Sequence, residues 1–184
     1  MPKITRREII LGSVTSSVAL FLAKPSFADT NSSTEDALTV LSSDTRFTFW
    51  VQALKSCGLA QYAAGPDQFT AFVPTNHAFS RYPNILAAVL RPNTNIALEQ
   101  TRSVSAFIKA HIIPGRHTLS DFAGNVSTVT SMAGTPITID ASHSTPYSVT
   151  WVSDDWRSAT SQLTIAPLIA SNAIIYPVDD VTLI

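Results

Sequence analysis

The sequence predicts an α+β fold, with helices mainly in the first half and strands mainly in the second. Three observations carry this. Apolar residues recur at helical spacing in two early stretches, Phe47, Trp50, Val51, Leu54 and Cys57, then Val104, Phe107, Ile108 and His111. Beyond Gly124, apolar and polar residues alternate in short runs bounded by turn residues. Between these regions, Phe69–Tyr82 reads FTAFVPTNHAFSRY, a strand, a hard corner and a short helix around which the chain is organised.

The corner follows from residue chemistry. Phe69–Val73 is aromatic and β-branched, which suits a buried strand. Pro74 has no N–H to donate and stops the ladder. Thr75 or Asn76 can cap the next helix, and Ala78, Phe79 and Tyr82 can face back onto the strand. Phe72 and Phe79 are therefore expected core residues.

In chain order, Thr34, Glu35 and Asp36 make an acidic helix start, followed by an apolar face of Ala37, Val40 and Leu41. Asp44 or Thr45 caps the Phe47–Cys57 helix, with Trp50 in its core face and Gly58 as its stop. Residues 59–68 read as a linker with a Gly65-Pro66 turn. Ile85–Leu90 suggests a helical turn closed by Arg91-Pro92. Asn95 can cap a helix from about Ile96 to Ile112, ended by Pro114-Gly115. Strands follow at Val126–Thr130, Pro136–Ile139, Tyr147–Val152, Gln162–Ile169 and Ile174–Leu183, with a turn at Ala133-Gly134-Thr135.

Residues 1–28 read as a signal peptide. Thr5-Arg6-Arg7-Glu8 precedes a mildly apolar run from Ile9 to Ala23, then Lys24, Pro25 and Ser26-Phe27-Ala28 at a cleavage site. The run is too short and polar to span a membrane. Its paired arginines and Lys24 resemble a bacterial twin-arginine export signal. Residues 29–34 are polar and read as a flexible start.

Composition narrows the function classes. The chain has 184 residues, 45% hydrophobic and 14% charged, with a formal net charge of −1. Residues 1–28 hold Lys3, Arg6, Arg7 and Lys24 against Glu8, so the mature part keeps 8 basic and 12 acidic residues, or −4. No basic stripe supports nucleic-acid binding. The single cysteine, Cys57, excludes an internal disulfide, so the exported domain must hold by its core.

Candidate chemistry is sparse. His111 lies on an apolar helix face, where a histidine more often hydrogen-bonds a backbone carbonyl and pins the helix end than carries chemistry. His111 and His117 do not stand at a zinc spacing, and Cys57 is remote. His77 and His143 lie in polar settings. There is no nucleophile elbow, zinc-protease motif, phosphate loop or dinucleotide fingerprint. Asp154-Asp155 and Asp179-Asp180 are adjacent, and adjacent strand residues point to opposite faces. No catalytic, cofactor or metal residue is therefore assigned. Tyr147, Trp151 and Trp156, the last two bracketing WVSDDW, form a candidate interaction surface.

Three phrases together resemble a known family. FTAFVPTNHAF (69–79), FIKAHIIPGRHT (107–118) and ASNAIIYPVDDVTLI (170–184) are similar, in order, to the fasciclin domain, a secreted adhesion and matrix module. The resemblance covers about residues 35–184, and without an internal repeat it implies one such domain. It implies helices packed on a β-sandwich or wedge. The positions that carry it are Phe72, Pro74, Thr75, Asn76, Phe79, His111, Pro114, Gly115, Asn172 and Asp179. It gives His111 a structural part and makes Asp179 a terminal-strand aspartate that satisfies backbone.

The chain departs from the family at three points. Ala110 replaces the Tyr that often precedes the histidine and that is associated with integrin-dependent adhesion. Ala173 stands where Gly usually follows Ser-Asn, and would be strained if its φ were positive. Tyr176 stands where His is usual.

The leading functional expectation is an exported, periplasmic or secreted, non-catalytic module for adhesion, with a protein or glycan partner at the cell surface. The alternative is a carrier of an apolar pigment or lipid, since some fasciclin-like proteins bind such molecules and an aromatic, low-charge surface permits it. A secreted enzyme comes third, because no nucleophile–base set is visible.

Overall fold

The structure is a computed structural model that describes residues 34–90, 97–142, 147–152, 158–163 and 166–180. The expected leader at 1–28, most of the expected flexible start at 29–34, the expected Arg91-Pro92 stop and Asn95 cap, His143, Asp154, Asp155, Trp156 and residues 181–184 lie outside the described residues.

The first helices form where the acidic caps and apolar faces demand them. Helix α1 (Ala37–Ser43) is capped by Asp36, whose carboxylate accepts the Thr39 N–H at 2.8 Å. A 3-10 turn at Thr45–Phe47 leads into α2 (Thr48–Ser56), which buries Trp50, Val51, Ala53 and Leu54. Gly58, at φ +75°, ends it in the left-handed region that glycine enters without a Cβ clash. Residues 59–68 are more than a linker. Ala60–Ala64 makes a short helix, α3, that buries Ala63. Five residues give no readable period, and their alanines favour helix once a core is nearby.

Strand β1 (Phe69–Pro74) is buried along its whole length. Helix α4 (Asn76–Ser80) follows the corner, then α5 (Pro83–Leu90) and α6 (Ala97–Ala110). The expected run of α6 to Ile112 is corrected, because it stops at Ala110 and Ile112–Pro114 forms strand β2, antiparallel to β1. Two β-branched isoleucines continue an apolar face equally well in helix or strand. Pro114 decides, since it disfavours helical geometry at Ile113. Helix α7 (Leu119–Phe122), held by a Thr118–Asp121 capping box, was not expected.

Strands β3 (Val126–Thr130), β4 (Pro136–Asp140), β5 (Tyr147–Val152) and β6 (Ser158–Leu163) make one antiparallel sheet in that order. The expected strand Gln162–Ile169 is instead two. Its first residues end β6, and Leu168–Ile169 forms β7 in the other sheet. That sheet has the order β2-β1-β8-β7, where β8 is Ala173–Val178 and runs parallel to β1.

The β1–β8 sheet is the middle layer, and its alternation divides the core. Phe69, Ala71, Val73, Ala173 and Ile175 face the helices with Trp50, Leu54, Phe79, Phe107 and Ile108. Phe72, Ile174, Tyr176 and Val178 face the second sheet with Ile137, Ile139 and Val149.

Candidate functional site

The corner after β1 works as a joint between three elements. Thr75 caps α4, its hydroxyl accepting the Ala78 N–H at 3.3 Å, while its own N–H donates to the Val178 carbonyl at 3.1 Å. Asn76 reaches across to the start of α2, which has no side-chain cap of its own, because the expected Asp44 cap serves the 3-10 turn instead, accepting the Arg46 N–H. Its Oδ1 accepts the Phe49 N–H at 3.1 Å, and its Nδ2 donates to the Thr45 carbonyl and Thr48 Oγ1, both at 2.8 Å. Phe79 is fully buried, edge-on to Phe49 and Phe107. Tyr82 is half-buried and donates its hydroxyl to Asp180 Oδ1 at 2.6 Å.

His111 sits in the turn between α6 and β2, fully buried. Its Nδ1–H donates to the Phe107 carbonyl at 2.8 Å, which the helix end leaves without a ladder partner. Its backbone carbonyl accepts the Phe72 N–H at 2.9 Å, tying the turn to β1. The ring packs on Phe107 and Trp50, with centroids 4.6 and 5.6 Å away. Burial pushes its pKa down to about 4, against an opposing pull from the Phe107 carbonyl, so the imidazole is neutral at physiological pH.

At the end of β2, exposed Pro114 and half-buried Gly115 turn the chain. Gly115 has φ +87°, and a Cβ there would lie 3.1 Å from His117 Nε2. The His117 ring donates to the Pro114 carbonyl at 3.0 Å. Thr70 Oγ1 donates to the Gly115 carbonyl and accepts the His117 N–H, both at 2.8 Å. The two histidines thus serve separate turns.

Asn172 is buried before β8 and joins three parts of the chain. Its Oδ1 accepts the Ala37 N–H at 2.8 Å, and its Nδ2 donates to the Ala63 and Gly65 carbonyls at 3.0 and 2.7 Å. Those contacts satisfy the start of α1 and the end of α3. Ala173 lies in the strand opposite Phe69, so no positive-φ strain arises there. Tyr176 stacks on Phe72 at 5.6 Å and donates its hydroxyl to the His117 carbonyl at 3.1 Å. Ala110 is fully buried.

Asp179 and Asp180 lie past β8 rather than in a strand, which corrects the alternation expected of them. Asp179 is exposed. Its N–H donates to Ser161 Oγ at 3.1 Å and its carbonyl accepts from the Arg81 guanidinium. Arg116, which the sequence did not single out, donates to the Ala170 and Ser171 carbonyls at 2.7 and 3.0 Å. Nothing in its spacing marked it.

Of the candidate aromatic surface, only the Tyr147 side chain lies among the described residues. Tyr147 is half-buried against the second core. Trp151 pairs opposite Ile137 in the backbone register, its side chain lies outside the described residues, and so does Trp156. Cys57 is half-buried, and burial pushes its thiol up, away from reactive character. No group of three or more His, Cys, Asp or Glu gathers to hold a metal among the described residues. No described helix is long and apolar enough to cross a membrane.

The geometry defines a small α+β module whose signature side chains hold its own elements together. The fasciclin domain profile matches residues 45–184, and the chain belongs to that family. An uncharacterized protein of Synechocystis sp. is 29% identical over 142 residues, covering 77% of this chain and 92% of that protein. The solved FAS1 domain pair of the insect cell adhesion molecule Fasciclin I superposes with a TM-score of 0.63 at 17% identity. The match covers 82% of this chain and 51% of that one, so this chain spans about half the length of the pair. That likeness is one of fold.

Proposed function

We propose that this protein is an exported, single-domain contact module, residues 35–184, that acts without catalysis in the periplasm or cell surroundings. Fasciclin domains are in general non-enzymatic modules of adhesion type, typically extracellular or secreted. The observation that carries the reading is the direction of the signature side chains. Asn76, Asn172 and Nδ1 of His111 all bond groups of the domain itself, mostly its backbone. Binding therefore falls to the surface, with a protein or glycan of the cell envelope as partner.

Cosedimentation of the mature protein with washed envelope fragments tests this. Saturable binding that survives in folded core variants supports the contact module. Absence of binding, with turnover of envelope polymers instead, would make it an enzyme. Pigment or lipid extracted from the purified protein would favour the carrier.

A further inference from the structure

Strand β3 is an open edge. It pairs with β4 on one side, and no described strand lies on the other. The Ala141 N–H donates to the Asn125 carbonyl and the Ser131 N–H to the Thr135 carbonyl, both at 2.9 Å. Antiparallel pairing alternates, so residues 125, 127, 129 and 131 face β4. The N–H and C=O groups of Val126, Thr128 and Thr130 then point away from the sheet. These three residues are exposed, Val126 at 60%. Sheet edges are ordinarily guarded by a charge, a proline or a bulge, and VSTVT has none of them.

We propose that β3 pairs antiparallel with β3 of a second copy of this chain, about a two-fold axis at Thr128. Every free backbone group of the edge then meets its counterpart, with Val126 opposite Thr130 of the other copy. The strand is neutral, so identical edges meet without like-charge repulsion. A threonine row supports the same register. Thr128, Thr138, Thr150 and Thr160 stand opposite one another across the four strands, with hydroxyls bridged at 3.3 Å (Thr128–Thr138) and 2.9 Å (Thr150–Thr160). Pairing at Thr128 continues this row unbroken into the second copy. A two-fold contact is isologous and uses the same edge of both copies, so it closes as a dimer. One short strand buries little area, which places the dimer in the weak, concentration-dependent class. This inference is independent of any foreign partner.

Sedimentation equilibrium of pure mature protein over a wide concentration range tests it. Thr128→Pro removes an outward N–H and leaves the bonds to β4 in place, which edge strands tolerate. Thr128→Lys sets two like charges across the axis. The wild type should self-associate, and each folded variant should do so about tenfold more weakly or worse. If the proline variant does not fold, the lysine variant decides. A wild type that stays monomeric throughout, or variants that associate as tightly as it does, would overturn the proposal.

Discussion

The side chain of Asn172 accepts the backbone N–H of Ala37 at 2.8 Å, across 135 residues of sequence. The same amide holds the Ala63 and Gly65 carbonyls, so one buried side chain fixes α1, α3 and β8. Asn172→Ala would leave one donor and two acceptors unmet. Its expected cost is about 3 kcal/mol or more, read as a urea midpoint shift. A cost under about 1 kcal/mol would mean that water replaces the amide and that the anchor is dispensable.

Phe72 and Phe79 lie on opposite sides of the middle sheet, one in each core cluster. Truncation of either to alanine should cost about 3–5 kcal/mol, a large share of a typical ~5–15 kcal/mol stability. Their sites are far enough apart in packing that the double variant should show nearly additive losses. Strong coupling in denaturant titrations would contradict the two-cluster division.

His111 should make the domain acid-sensitive. Its folded pKa is about 4, against an ordinary value of 6.5 in the unfolded chain. Between those values the unfolded state binds more protons, so stability falls as pH drops from about 6.5 towards 4. The full loss is roughly 3 kcal/mol. Urea titrations at pH 7 and pH 4.5 should show a larger loss for wild type than for His111→Gln. Equal losses would mean that the ring is protonated in the fold.

Export should depend on Arg6 and Arg7. Replacing both with lysine should block the twin-arginine route and leave general secretion largely intact. Fractionation in a host competent for both routes reads this directly. An unchanged periplasmic yield would assign the leader to ordinary secretion.

Local chemistry made much of the fold legible. The strand–Pro–Thr corner, the α2 face with its Gly58 stop, and the bounds of β3 and β5 all follow from short-range period and capping. What was hidden is non-local or ambiguous in period. Ile112-Ile113 fits a helix face and a strand equally. The run Gln162–Ile169 is apolar enough for a strand but cannot say that it serves two sheets. The parallel β1–β8 pair joins segments a hundred residues apart, and no local pattern announces it. At the candidate site, Asn76 and Asn172 were legible as signature positions. Their use as caps for helices elsewhere in the chain was not, because the uncapped ends they serve appear only once α1, α2 and α3 are packed.

Stability and binding measured on one sample of His111→Ala give the most direct test of whether the signature residues serve the fold. Thermal and urea unfolding would be recorded alongside cosedimentation with envelope fragments. The expected result is a stability loss of roughly 2–4 kcal/mol, from an unpaired Phe107 carbonyl and a small cavity, with binding unchanged wherever the variant is folded. Wild-type stability combined with lost binding would contradict it, and would make His111 part of the binding site.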